Sequence, residues 1–193
     1  MILSDKRGDN GQVETIVDAL GWPVERKTLH MLPQYVLGKP RYRPSLSHID
    51  PDRSDPIEPP WPDLIITVGR RPSMVALWVR RQSGNRTKIV LVGKPSGHMP
   101  AFALVVASAE NQMPPLPNFL PTTLPLMRIA EADVEVEAEA WRERFAPLPR
   151  PLIAMFVGGE TNPFVMNRAV ARKLVATARW VIDELGGTPY ITT

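Results

Sequence analysis

The sequence contains no cysteine, and its three histidines, His30, His48 and His98, lie far apart along the chain. The lack of cysteine excludes disulfides, thiolate metal sites, iron–sulfur clusters and cysteine nucleophiles. The scattered histidines lack the spacing of metal ligands and argue against a metalloenzyme. We therefore expect neither a metal nor a resident cofactor.

Long hydrophobic runs are also missing. No apolar run approaches the roughly 18–20 residues that a membrane-spanning helix requires. Charged residues begin at Asp5, which argues against a secretory signal peptide. Hydrophobic residues nevertheless make up 44% of the chain, too many for a disordered protein. We expect a cytoplasmic protein, with a peripheral position at the inner membrane as the alternative.

Acidic residues are scarce in the middle of the chain. Residues 61–128 carry eight basic and two acidic side chains, whereas residues 1–60 carry eight and nine, and residues 129–193 carry seven and nine. Such an excess is typical of a segment that binds phosphate, a nucleotide or an acidic lipid head group. A solvated basic surface explains the same composition equally well.

Hydrophobic patterning predicts a doubly wound parallel α/β sheet in the first part of the chain. Residues 31–62 interrupt the pattern with eight prolines and no sustained periodicity, so we expect an extended surface loop there. The predicted strands comprise residues 1–4, 24–29, 64–68, 88–92, 102–106 and 124–129, and the predicted helices comprise residues 10–20 and 72–81.

A domain boundary is predicted near residue 147. Residues 129–146 alternate like a strand, but alanine and glutamate favour a helix, which we predict. The proline-rich stretch 147–151 is typical of an interdomain linker. We therefore predict a first domain over residues 1–147 and the start of a second α/β domain over residues 148–193.

The second domain is predicted as a short β-α-β unit. Its strands are expected at residues 152–157 and 190–193, and its helix at residues 167–185. A unit of this size buries too little apolar surface to be stable alone. Either it docks onto the first domain or the natural protein continues beyond Thr193, and we favour the second alternative.

The first candidate site is the loop predicted over residues 4–12. Ligands of open α/β sheets bind beyond the carboxyl ends of the strands, and this loop follows the first one. Its glycines allow backbone N–H groups to approach a ligand, and its cations neutralise phosphate. Asp9 or Asn10 also suits a helix N-cap, and a simple glycine turn is the alternative. The candidate phosphate ligands are Lys6, Arg7, Gly8 and Asn10, and the candidate catalytic carboxylates are Asp5 and Asp9.

The second candidate site is the segment Gly69-Arg70-Arg71. It joins a predicted strand directly to a helix that we expect to begin at Pro72. The positive end of the helix and two guanidinium groups therefore converge on a small volume, which favours anion binding.

The third candidate site is the loop Gly158-Gly159-Glu160-Thr161-Asn162. The glycine pair permits positive φ and leaves room for a diphosphate beside the backbone. The loop matches neither the P-loop nor the dinucleotide fingerprint.

Nucleic acid is not an expected partner. The arginines lie at the starts of loops and helices and do not form a stripe with interleaved aromatics. The acidic run 131–143 is interpreted as a solvated helix face.

Taken together, these stretches resemble the mitochondrial-fission "elongated mitochondria" family, which has bacterial members and was formerly labelled as predicted nucleoside-diphosphate-sugar epimerases. Each matching stretch is short, but together they cover nearly the whole chain. They are Leu3-Ser4-Asp5, Gly8-Asp9-Asn10 with Gln12, Pro62–Ile66 with Gly69-Arg70-Arg71, Phe102–Val106, Pro149-Arg150-Pro151, Phe156–Gly159 and Ile191–Thr193.

The resemblance implies a glycosyltransferase-B-like architecture of two Rossmann-like domains, the second incomplete here. It implies a nucleotide sugar or another phosphorylated ligand as substrate, and transfer of the sugar to a cell-envelope or lipid acceptor. Gly158, Gly159 and Thr161 are then expected to hold the diphosphate, and Arg70 and Arg71 an anionic acceptor or product phosphate. The alternative is a non-enzymatic recruitment protein in peripheral contact with an anionic membrane.

Overall fold

The computed structural model describes residues 1–5, 7–36, 43–158 and 165–192. The chain divides into two compact units, Met1–Arg128 and Ile129–Thr193. The elements of the first unit are β1 (Ile2–Leu3), α1 (Arg7–Leu20), β2 (Lys27–Thr28), α2 (Pro33–Val36), β3 (Leu64–Val68), α3 (Arg70–Gln82), β4 (Lys88–Val92), β5 (Leu104–Ser108) and β6 (Phe119–Thr122). Those of the second unit are α4 (Glu131–Phe145), β7 (Leu152–Phe156), α5 (Arg168–Asp183) and β8 (Thr188–Thr192).

The first unit is built on a six-stranded parallel sheet in the order β2-β1-β3-β4-β5-β6. The chain moves outward from β1 to β2 and then returns to place β3 on the other side of β1. The strand order therefore reverses between β1 and β3, which is the topological switch point of a doubly wound fold. This confirms the predicted Rossmann-like α/β class.

Both faces of the sheet are covered. Along β3, Ile65 packs with Met74 and Val75 of α3 on one face, whereas Ile66 and Val68 pack with residues of α1 on the other. Strands buried on both sides carry nearly continuous apolar runs, which is why β3 and β4 are recognisable in the sequence.

The strand predicted over residues 124–129 is wrong. The sheet instead ends with β6, which pairs with β5 from Val105 opposite Phe119 to Ser108 opposite Thr122. Pro121 lies within β6 and is tolerated because an edge strand needs no ladder N–H on its outer side. Leu124 and Met127 are exposed and Leu126 is half-buried, so the apolar residues that suggested a strand do not form a buried run.

The proline-rich segment 31–62 is more than an extended surface loop. It contains the short helix α2, and an antiparallel bridge joins Met31 to Ile49. Met31, His48 and Ile49 are buried. The segment therefore completes the core on the α3 side of the sheet, a role that non-periodic sequence does not reveal.

The second unit is a β-α-β motif with the predicted helix α4 beside it. Strands β7 and β8 are parallel, from Leu152 opposite Thr188 to Phe156 opposite Thr192. Trp141 and Phe145 of α4 pack against Tyr190 of β8, with ring centroids 6.0 and 5.1 Å apart. These contacts group α4 with the second unit, whereas the predicted boundary after residue 147 assigns that helix to the first domain.

Asn167 caps α5, since its side chain accepts hydrogen bonds from the N–H groups of Ala169 and Val170. No helix within the described ranges combines the length and the apolar composition that crossing a bilayer requires.

Candidate functional site

The candidate site of the first unit lies where β1 and β3 end. These strands are neighbours at the switch point, and each is followed by a helix, α1 beginning at Arg7 and α3 at Arg70. The two helices cover opposite faces of the sheet, so their N-termini flank the same edge. The partial positive charges of two helix N-termini thus meet at this edge, which favours a negatively charged ligand.

The connection after β1 is held by Asn10. The Ser4 N–H donates to Asn10 Oδ1 at 3.0 Å, and Asn10 Nδ2 donates to the Ser4 carbonyl at 2.7 Å. The prediction that the loop extends to residue 12, with Asp9 or Asn10 as N-cap, is wrong because α1 begins at Arg7. Gly8, Asp9 and Asn10 therefore belong to the helix, and Asn10 uses its amide to fix the backbone of the loop.

The connection after β3 is a single glycine. Gly69 adopts φ 76° and ψ 170° as the N-cap of α3, a conformation that side chains disfavour. Arg70 and Arg71 form the first turn of the helix and are half-buried. Pro72, expected as the first helical residue, is the third, a position that still needs no intrahelical N–H. Ser73 closes the turn, since its Oγ donates to the Arg70 carbonyl at 2.9 Å.

The first two predicted loops meet in the structure. A Cβ built on Gly69 would lie 3.8 Å from the Asp9 carboxylate oxygen Oδ2. Asp9 therefore stands beside the start of α3, at the turn that carries Arg70 and Arg71. Asp5, the other candidate carboxylate, is exposed in the connection after β1. The edge thus combines a carboxylate, two guanidinium groups and two helix N-termini.

The third predicted loop is only partly described. Gly158 follows β7, is exposed, and has no atom within 4 Å of a Cβ built on it. Gly159, Glu160, Thr161 and Asn162 lie outside the described residues, as does Lys6 of the first loop. The phosphate-binding role of this loop stays a prediction.

His48 supports the candidate site, and the sequence analysis did not identify it. It is 2% exposed and its Nε2 donates to the Arg71 carbonyl at 3.2 Å, so the proline-rich segment is fastened to the first turn of α3. Burial, the largest cause, lowers the pKa of His48; the hydrogen bond to Arg71 opposes this shift and the Arg71 charge adds to it. No periodicity surrounds His48, so no sequence signal pointed to it.

The sequence analysis also missed Lys94, although the sequence carries a pattern that could have identified it. It follows β4 directly after Gly93, which has φ 91°, and its Nζ donates to the Asn111 carbonyl at 3.2 Å. A strand followed by glycine and a cation is the pattern that singled out Gly69 and Arg70. The same pattern places Lys94 at the carboxyl edge, one strand farther from the switch point.

An apolar cavity of about 360 Å³ lies at the opposite edge of the sheet, near the starts of β1 and β3. Leu20, Trp22 and Trp61 are among its lining residues. Because it is at the amino ends of the strands, it is separate from the candidate site.

An open parallel sheet with helices on both faces, and with glycine and arginine at the edge where its strand order reverses, defines a Rossmann-like α/β protein. The chain belongs to the Mitochondrial fission ELM1 family, whose family model matches residues 7–193, and this confirms the expected resemblance.

The Mitochondrial fission protein ELM1 of Arabidopsis thaliana is a curated relative, 26% identical over 147 residues. The match covers 65% of this chain and 34% of the relative, so the chain spans about a third of that relative's length. No solved structure matches the chain.

Proposed function

We propose that this protein is glycosyltransferase-B-like, binds a nucleotide sugar or another phosphorylated ligand, and transfers the sugar to a cell-envelope or lipid acceptor. The observation that carries the proposal is the proximity of Asp9 to Gly69 at the start of α3. It places a carboxylate and two arginines at one edge, which are the groups needed to accept a proton and to neutralise phosphate.

In the proposed reaction, an acceptor hydroxyl attacks the anomeric carbon of the sugar. The bond from that carbon to the diphosphate oxygen breaks, and the electron pair leaves with the nucleoside diphosphate. Asp9 takes the proton of the attacking hydroxyl, with Asp5 as the other candidate. Arg70 and Arg71 bind the anionic acceptor or the product phosphate, and Gly158, Gly159 and Thr161 hold the diphosphate.

The test is a thermal-shift screen of the full chain against nucleotides and nucleotide sugars. A ligand at 100 times its dissociation constant stabilises the protein by about 2.7 kcal/mol. We expect a shift, and a shift that depends on the first unit should be lost in Arg70→Ala/Arg71→Ala. It should be kept in Arg53→Ala/Arg128→Ala, which removes the same charge from exposed positions. The absence of a shift with every compound contradicts the proposal.

A second candidate function is recruitment at an anionic membrane without turnover. It is supported by the name of the curated relative, a mitochondrial fission protein, and by the basic composition of residues 61–128. Co-sedimentation with vesicles that contain or lack acidic lipid tests it, and electrostatic binding must weaken with salt. Tight vesicle binding with no response to any nucleotide sugar favours recruitment over transfer.

A further inference from the structure

A basic cavity lies in the first unit, in addition to the site at the carboxyl edge. Its volume is about 490 Å³, within the range of small-molecule sites. It is bounded by the proline-rich segment on one side and by the last turn of α3 on the other. The lining residues that concern its chemistry are Tyr35, Arg43, Ser45, Ser47, His48 and Arg81.

The cavity is distinct from the site proposed above. Arg81 follows Arg71 by ten residues of the same helix. At 1.5 Å per residue, the two backbone positions are about 15 Å apart along the helix axis. A ligand held by Arg81 therefore does not occupy the first turn of α3, where Arg70 and Arg71 lie.

The charged side chains that line the cavity among the described residues are all positive. Arg43 of the proline-rich segment and Arg81 of α3 are both exposed and line it from two sides, and the described residues that line it include no carboxylate. Within the described ranges, neither arginine takes part in an ion pair. Two guanidinium groups around one concave volume repel each other unless an anion lies between them.

Neutral hydrogen-bond donors lie beside the two arginines. The hydroxyl oxygens of Ser45 and Ser47 are 2.9 Å apart, and Ser45 Oγ donates to the Arg43 carbonyl at 3.3 Å. Both hydroxyls can turn their protons toward an anionic oxygen. Donors from several directions suit the tetrahedral oxygens of a phosphate better than a planar carboxylate.

One wall of the cavity is formed by His48 and Tyr35, which contact each other. His48 is buried and held by its hydrogen bond to the Arg71 carbonyl, and the Tyr35 ring meets it edge to face with centroids 6.3 Å apart.

We propose that this cavity binds a phosphate monoester group through Arg43, Arg81 and the two serine hydroxyls. The volume exceeds that of phosphate alone, so the cavity also has room for part of the esterified group. The monoester belongs either to a soluble metabolite or to a lipid head group, and the two sources share the chemistry that these residues recognise.

The test is calorimetric titration of the full chain with glycerol 3-phosphate, together with vesicle co-sedimentation on phosphatidylcholine with and without phosphatidic acid. We expect Arg43→Gln/Arg81→Gln to weaken binding of at least one phosphate probe by about tenfold or more, because hydrogen bonds to charged groups are lost. Ser47→Ala is expected to weaken binding of the same probe to a smaller extent.

Two control variants separate this cavity from other basic surfaces. Arg53→Gln/Arg128→Gln removes the same charge from other exposed positions and must leave the binding unchanged. Arg70→Ala/Arg71→Ala reports any binding of the same probe at the carboxyl edge. If Arg43→Gln/Arg81→Gln loses binding of glycerol 3-phosphate, the ligand is a soluble phosphate monoester. If it loses binding of phosphatidic acid vesicles alone, the ligand is a lipid head group. The proposal is overturned if the wild-type chain binds neither probe, or if the controls weaken binding as much as Arg43→Gln/Arg81→Gln.

Discussion

Asp9 and Gly69 are sixty residues apart in sequence, yet a Cβ on Gly69 would lie 3.8 Å from an oxygen of the Asp9 carboxylate. The first turn of α1 therefore lies close to the N-cap of α3 across the switch point. Both helices begin at this edge because β1 and β3 are adjacent parallel strands.

Replacement of Gly69 by alanine should destabilise the first unit by about 1–3 kcal/mol, because φ 76° with ψ 170° lies in a backbone region that is essentially restricted to glycine. The cause is φ of 76°, since the new Cβ makes an ordinary contact with Asp9. Denaturant unfolding measures the change. Gly11→Ala is the control: it lies in α1 with no atom within 4 Å of the new Cβ and should stabilise by up to about 1 kcal/mol.

Asn10→Ala should remove both hydrogen bonds to the Ser4 backbone and cost about 1–3 kcal/mol, because a part-buried donor and acceptor lose their partners. Asn10→Asp keeps the acceptor and loses the donor, so its unfolding free energy should fall between those of the wild type and alanine variants. Equal stability of all three proteins would show that the loop after β1 does not depend on this side chain.

The pH dependence of stability should include a contribution from His48. Burial lowers its pKa from 6.5, so the folded protein holds the neutral ring while the unfolded chain takes up a proton below that pH. The stabilisation is therefore complete above about pH 6.5 and declines as the pH falls toward the folded pKa. In urea titrations between about pH 5 and 7, His48→Gln should show a shallower decline than the wild type. An unchanged slope in His48→Gln would contradict this prediction.

Thr67→Val should lower the unfolding free energy by about 1–3 kcal/mol with almost no change in volume. Thr67 is fully buried, and its Oγ1 donates to the Ile2 carbonyl at 2.8 Å, which ties β3 to β1 at their point of pairing. Thr122→Val, at the edge strand, removes a hydroxyl that donates to Leu124 near solvent and should cost less. If both variants lose the same free energy of unfolding, the Thr67 hydrogen bond stabilises the protein no more than the exposed one, which contradicts the prediction.

Gly187→Ala should destabilise the second unit, because a Cβ there overlaps the backbone oxygen of Pro151 and its ring carbons. Backbone cannot move aside as a flexible side chain does, so β7 and β8 must separate. Tyr190 fluorescence is obscured by the tryptophans, so amide hydrogen exchange in β7 and β8 is the measurement. Gly158→Ala, with open space around its Cβ, should leave exchange in both strands unchanged.

The parts of the fold that sequence reasoning predicted share one physical feature. Strands β3 and β4 are buried on both faces, so their residues are nearly all apolar, and glycine follows the end of each. Strand β6 was not recognised in the sequence, because it lies at the edge of the sheet, contains Pro121 and exposes Leu120. Its strand character comes from pairing with β5, which local sequence does not encode.

The sequence alone determined the parallel α/β class and the residue types at the strand ends, since burial and turn chemistry act on near neighbours along the chain. Only the tertiary structure decided which of those ends are adjacent. The return of the chain to the far side of β1 brings Asp9 beside Gly69 and carries His48 to the Arg71 carbonyl. Strand order depends on the free energy of packing the whole unit, and no single stretch of residues contains that information.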